Sequence, residues 1–252
     1  MKVIVNGELV PLDQSQCTQL GWLEGAGIFE TIKTVAGKPW ALSRHMRRAV
    51  NSCAKVKIRL PSEELVRESI TTLLRTEHHD HGLLRVSFGE SGNWAAVHLP
   101  YSVQTTAAQV GTHPTALVME GVPVKSYPYN HRLEILEQAR ARGFDEALIT
   151  SSVGKICEGS VSNVLLRISN SWFTPPLSDG VLAGVMRALV IENCDVMVRS
   201  IATTEIEEIE SGFLLSSLRI AQPIASIDGR ELSQSDGFRD EIEAMALRTS
   251  VG

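Results

Sequence analysis

The spacing of apolar positions along this chain changes repeatedly, and each change marks a new element. At the amino end, residues 1–12 (MKVIVNGELVPL) alternate apolar and polar side chains on both sides of Asn6 and Gly7. Period-two alternation around an Asn-Gly pair predicts a β-hairpin. Residues 27–42 (GIFETIKTVAGKPWAL) alternate again, turning at Gly37 and Lys38, and residues 43–56 (SRHMRRAVNSCAKV) switch to helical spacing with Ser43 as the N-cap. A second helix is predicted over residues 62–76, capped by Ser62, with Leu65, Ile70, Leu73 and Leu74 as its apolar face. Two strands follow, GLLRVSFGE at 82–90 and AAVHLPYSV at 95–103.

The next stretch, TTAAQVGTHP at 105–114, is polar and small and carries glycine and proline, which predicts a linker. Beyond it, 115–124 (TALVMEGVPV) reads as a strand and 131–143 as a helix closed by Gly143. Residues 145–168 form a strand hairpin turning at Gly154, and 180–194 a further helix. The tail alternates in GFLLSSLRIAQPIASIDG (212–229) and ends in a short helix at 241–250. Strands and helices are mixed in both halves without strict alternation, so the class is mixed α/β and not a doubly wound sheet. The expected domains are residues 1–107, a linker at 108–114, and residues 115–252.

Composition narrows the possible partners. A length of 252 residues and 43% hydrophobic content can bury a sizeable core. A net charge of −5 with no basic stripe argues against nucleic acid. Cys17, Cys53, Cys157 and Cys194 are scattered with no CxxC pair, which fits neither a zinc knuckle nor a disulfide framework and suits a reducing cytoplasm. No apolar run reaches the length of a membrane span, and the amino end lacks the unbroken apolar core of a signal peptide.

Among the lysines, Lys125 stands out. It ends an apolar stretch and enters a bend walled by Tyr127, Pro128 and Tyr129, an apolar setting that favours a neutral amine. Glu158 follows the Gly154 turn among the small residues Gly159, Ser160 and Ser162, which allow another group close to the backbone. Arg48 lies on a cation-dense helix, from which one arginine turned inward could clamp a phosphate. Gly184, Val185 and Met186 open a helix whose free N–H groups attract anions, and Ser216 and Ser217 could add hydroxyl donors. Each also has a plain structural reading as a strand end, a solvated face or a turn. Three other motifs are set aside: SxxK at 152–155 falls in a hairpin with no KTG after it, His78, His79, Asp80 and His81 are too crowded to converge on a metal, and GWLEGAG lacks the order of a dinucleotide loop.

Taken together, GAGIFETIK (25–33), HMRRA (45–49), VKSYPYN with GFDEALIT about twenty residues on, EGSVSN, TPPLSDGVLAGVMR and LLSSLRIAQPI resemble the class IV, or fold type IV, pyridoxal phosphate enzymes over nearly the whole chain. That family includes branched-chain aminotransferases, D-amino acid aminotransferases and 4-amino-4-deoxychorismate lyases. The resemblance implies a two-domain fold with the cofactor in the interdomain cleft, a homodimer, and a small amine or amino acid substrate. It implies Lys125 as the Schiff-base lysine, Glu158 at the pyridine nitrogen, and Arg48, Val185, Met186 and Ser217 around the phosphate. Methionine at 186 stands where the family often has threonine, so only a backbone contact is implied there. Thr31 in FETIK and SLR at 217–219 resemble the lyases. Phe88 stands where D-amino acid enzymes place an arginine for the substrate carboxylate. The expected activity is therefore a lyase releasing pyruvate and 4-aminobenzoate, with Thr31 and Arg219 touching substrate. An aminotransferase acting on D-amino acids, branched-chain amino acids or amines is the alternative, and a binding protein that keeps the fold without turnover is the reading from another class.

Overall fold

The computed structural model describes residues 1–118 and 121–250, which fall into two compact units. The first opens with the predicted hairpin, β1 (Lys2–Val5) and β2 (Glu8–Pro11). Asn6 and Gly7 both take positive φ, 52° and 95°, which gives the turn the twist that a two-residue hairpin needs. The chain continues as β3 (Gly27–Val35) and β4 (Lys38–Pro39), helices α1 (Leu42–Val56) and α2 (Glu63–Thr76), then β5 (His81–Gly89) and β6 (Trp94–Pro100). The sheet runs β2-β1-β6-β5-β3-β4. Along β3 the side chains alternate faces: Ile28 and Ile32 join Met46, Val66, Ile70 and Leu73 in a core between sheet and helices, and Thr31 faces the other way.

Helix α2 starts as predicted, with Ser62 Oγ accepting from Leu65 N at 3.3 Å. Its buried face differs from expectation at one position: Leu65 is exposed and Val66 takes its place. Helix α1 is capped by Ala41 in a left-handed conformation, two residues before the expected cap; Ser43 lies inside the helix and its hydroxyl accepts from Arg67 at 2.9 Å.

The region read as a linker is a strand. β7 (Ala108–Thr112) lies between two strands of the second sheet, because Ala108 and Val110 alternate inward and Gly111 leaves room for the Phe144 ring, 2.3 Å from where a Cβ would sit. The strand predicted at 115–124 is reduced to a single bridge at Leu117, with Met119 and Glu120 outside the described residues. Residues 124–128 then belong to the first unit and not to the carboxyl-terminal domain expected from 115 onward. There β8 (Ser126–Tyr127) pairs with β3, and Phe29 N donates to Lys125 O at 2.8 Å.

The second unit holds α3 (Asn130–Ala141), β9 (Glu146–Thr150), β10 (Lys155–Gly159), β11 (Asn163–Ile168), β12 (Ser171–Thr174), α4 (Val185–Asn193), β13 (Met197–Val198), β14 (Ile201–Ala202), β15 (Ile209–Ser216), β16 (Ile220–Ile227), β17 (Arg230–Glu231) and α5 (Asp236–Arg248). Its sheet runs β13-β12-β11-β15-β16-β7-β9-β10-β14, with β17 on β16. Helix α4 begins at Val185, five residues later than the spacing suggested, because residues 180–184 form the loop that approaches Glu158. The Gly154 turn and the helix-closing Gly143 both take positive φ, as expected of them.

Candidate active site

In the first unit, Lys125 is placed by its strand pairing against Phe29. Its Nζ lies 4.6 Å from the centre of the Phe29 ring, an aromatic face that favours a cation. Trp22 packs edge-on against Phe29 at 4.7 Å and beside Tyr127 at 5.5 Å, so the ring under the lysine belongs to an aromatic cluster. Burial raises the Tyr127 hydroxyl to about 12, which keeps it protonated at working pH.

Arg48 is turned inward from that cationic helix. It meets Glu30 through both ends of the carboxylate, Nε to Oε1 at 2.8 Å and NH2 to Oε2 at 2.5 Å. His45, one turn earlier on α1, adds Nδ1 to Oε2 at 2.7 Å. Glu30 is 1% exposed. Burial alone would raise its carboxyl, yet the charge and hydrogen bonds of Arg48, aided by His45, hold it at about 2. Burial outweighs Glu30 at His45 and lowers the imidazole, with Arg48 and Lys125 adding to the effect, so His45 is neutral beside an ionised carboxylate. Thr31, adjacent in sequence to Glu30, faces the opposite side of β3, where its hydroxyl meets Arg85 NH2 at 3.5 Å and Arg85 lies over Trp22 at 4.3 Å.

In the second unit, Glu158 is 4% exposed and both of its oxygens accept hydrogen bonds. Oε1 accepts from Arg132 at 2.9 Å, and Oε2 accepts from Asn163 Nδ2 and from Leu182 N, each at 3.0 Å. Asn163 also donates to Leu182 O at 3.0 Å, so it ties the carboxylate to the loop that leads into α4. Gly184 closes this arrangement: a Cβ there would fall 1.8 Å from Asn163 Oδ1. Only glycine permits that approach. No side chain caps α4, and neither Asp nor Glu lies in its first turn, so the N–H groups at Val185 and Met186 keep their attraction for an anion. The first-turn cation, Arg187, is directed to Thr174 Oγ1 and Pro175 O.

Ser217 and Arg219 lie in the turn between β15 and β16. Because β11 and β15 pair Asn163 with Leu215, that turn is at the same end of the sheet as Glu158's partner. Arg219 NH1 stands 3.0 Å from Oε2 of Glu146, a fully buried carboxylate. Glu146 also accepts from Ala147 N, Ser160 N, Ser160 Oγ and Ser162 Oγ.

The structure thus brings Lys125 and Arg48 into the first unit, with Thr31 on the far face of β3, and Glu158, Val185, Met186, Ser217 and Arg219 into the second. Sequence reasoning missed Glu30, Arg132, Glu146 and the bridging role of Asn163. Glu30 alone left a signal: a carboxylate at an inward position of an apolar alternation, facing a helix that carries His and Arg three residues apart. No group of three or more His, Cys, Asp or Glu among the described residues could hold a metal ion. No described helix is long and apolar enough to cross a membrane.

Comparison with known proteins gives the family. The D-alanine aminotransferase of Bacillus licheniformis is 25% identical over 278 residues, covering 100% of this chain and 97% of its own. The aminodeoxychorismate lyase of Bacillus subtilis is 28% identical over 193 residues, covering 69% and 66%. Among solved structures, the branched-chain aminotransferase of Thermoproteus uzoniensis superposes with a TM-score of 0.86 at 24% identity, over 99% of this chain and 95% of that one. The PLP-bound form of a hypothetical aminotransferase from Mycobacterium tuberculosis gives 0.85 at 18%, over 100% and 99%. Residues 27–227 match the family described as amino-transferase class IV, and the chain belongs to that family of pyridoxal phosphate-dependent enzymes.

Proposed function

We propose that this enzyme is a 4-amino-4-deoxychorismate lyase, releasing pyruvate and 4-aminobenzoate for folate synthesis. The observation that carries the choice within the family is Phe88. At the position where a D-amino acid enzyme is expected to hold a carboxylate-binding arginine, this chain has a side chain 2% exposed in the apolar core beneath α1 and α2. Thr31, on the opposite face of β3 from that core, supports the same choice.

The residues present suit pyridoxal phosphate: a buried carboxylate oriented by three donors, and an uncapped helix start packed against the same asparagine. When bound, the cofactor supplies an aldehyde that condenses with the substrate amine and a ring that withdraws electrons from the carbon bearing it. Lys125 would hold the cofactor through Nζ at rest and, once the substrate amine has taken its place, receive the proton from that carbon. Glu158 would keep the pyridine nitrogen protonated, its orientation fixed by Arg132, Asn163 and Leu182 N. Arg48, the N–H groups of Val185 and Met186, and Ser217 would hold the phosphate. Thr31 and Arg219 would face the substrate. A homodimer in the cytoplasm belongs to the same reading, and four free thiols are consistent with a reducing compartment.

Purified enzyme given aminodeoxychorismate and no 2-oxo acid should release pyruvate, measured with lactate dehydrogenase. Turnover only with an added amino acceptor would replace the lyase by an aminotransferase. That second reading is favoured by the full-length match to a D-alanine aminotransferase. Borohydride reduction of the yellow protein and peptide mass spectrometry should find the label on Lys125; a label elsewhere would remove the lysine from its role.

A further inference from the structure

We infer that Glu30 is a positioning residue for phosphate recognition: it fixes the Arg48 guanidinium in the orientation in which that arginine receives the cofactor's phosphate. The inference rests on the reading of Arg48 given above. Glu30 lies on the helix side of β3, is 1% exposed, and takes both the Nε and the NH2 of Arg48. A guanidinium held at two of its nitrogens by one carboxylate cannot rotate about its own bond, and the planar fork is therefore presented at one angle. His45 adds a third contact from the same face of α1, so the carboxylate is held as firmly as the arginine it holds. All three groups are anchored in regular structure, two on α1 and one on the longest strand pairing of the first sheet.

The charge balance of the cluster indicates how it would act. Glu30 is ionised and His45 neutral, so the carboxylate cancels the charge of Arg48 locally. Arg48 then contributes directed N–H donors more than net positive charge. Recognition of this kind depends on angle, and the residue that sets the angle is Glu30. A carboxylate whose sole task was to bolt α1 to β3 would leave a different mark: its loss would weaken the protein as a whole and affect every ligand alike.

The experiment compares pyridoxal phosphate with pyridoxal, which carries the same aldehyde and ring without the phosphate. Dissociation constants for both are measured on apoprotein by fluorescence titration, for wild type, Glu30→Gln, Glu30→Asp and Arg48→Met, and for the double variant Glu30→Gln/Arg48→Met. The expected result is that Glu30→Gln and Glu30→Asp weaken pyridoxal phosphate by on the order of tenfold to a hundredfold, the worth of one or two charge-assisted hydrogen bonds, and leave pyridoxal unchanged. In the Arg48→Met background, Glu30→Gln should cost nothing further. Equal weakening of both ligands, or additive effects of the two substitutions, overturns the positioning role. A wild type that binds the two ligands equally sinks the phosphate site at Arg48 and this inference with it, whereas a wild type and a Glu30→Gln protein that discriminate equally well overturn only the role of Glu30. Glu30→Asp keeps the buried charge, and circular dichroism of each apoprotein separates loss of fold from loss of orientation.

Discussion

Replacing Arg219 by methionine should destabilise the second unit, and the size of the effect follows from what Arg219 touches. Its guanidinium is 14% exposed and Glu146 is not exposed at all, so the substitution leaves a carboxylate in the interior without its cation. Breaking a buried ion pair on one side costs about 3–5 kcal/mol. Two features of the pair set the expectation at the lower end. The NH1 group stands close to the carboxylate in charge contact without pointing a hydrogen at it, and four donors from Ala147, Ser160 and Ser162 remain on Glu146 after the change. About 3 kcal/mol in a chain of this size corresponds to a fall in Tm of roughly 6–12 °C. Differential scanning calorimetry of the apoprotein at pH 7 measures it. Pairing the change with Glu146→Gln should restore much of the loss, because removing both charges relieves the desolvation that removing one exposes. A Tm within about 2 °C of wild type, the scatter expected for a harmless surface change, would refute the clamp. If the same variant then raised KM without touching Tm, Arg219 would serve the substrate alone.

Further outcomes follow from other parts of the structure. Glu30, held at about 2 in the fold against 4.5 unperturbed, contributes stability that is fully present above pH 4.5 and is lost as pH falls toward 2. Its share is roughly 3 kcal/mol, and acid titration of Glu30→Gln by circular dichroism should be flatter across that window. The neutral, buried His45 acts in the same direction, since its lowered pKa makes the fold lose stability as pH drops below 6.5. Gly184→Ala drives a methyl group into Asn163 and should abolish the yellow colour of bound cofactor in a protein whose far-ultraviolet spectrum is unchanged; full colour would show that the loop yields. Burial raises the thiols of Cys53 and Cys157 to about 11, so both should resist Ellman's reagent at pH 8 until the protein unfolds, and rapid labelling of either in the native state would contradict their burial.

The sequence was most legible where a local rule decides the structure. The Asn6-Gly7 hairpin, the Ser62 cap and the Gly154 turn each depend on a few neighbouring residues, and each stands where it was expected. It was least legible where a distant partner decides. Residues 105–114 have the composition of a linker, and β7 exists because β16 and β9 offer it edges on both sides. Lys125 follows a stretch of chain assigned to the second half, yet Phe29 captures its carbonyl and draws it into the first sheet. Neither event leaves a trace in the spacing of nearby side chains.

The same distinction applies to the candidate site. The family motifs identify groups that would face the cofactor, and the structure adds the groups that face those. Arg48 is held by Glu30, Glu158 by Arg132 and Asn163, and Arg219 by Glu146. In each case a buried charge is matched by a partner from another element: a strand against a helix, a helix against a strand, a strand against a turn. Such matching follows from electrostatics, because an ionised side chain taken out of water is tolerated only with a counter-charge and hydrogen bonds to its remaining positions. It also separates two properties of a site. The groups that touch the cofactor decide what it binds, and their partners decide how rigidly each group is aimed before anything binds. Substitutions in the partners should therefore change affinity and pH dependence while leaving the type of reaction intact, whereas changes at Thr31 or Phe88, which carry no such charge matching, bear on which reaction is run.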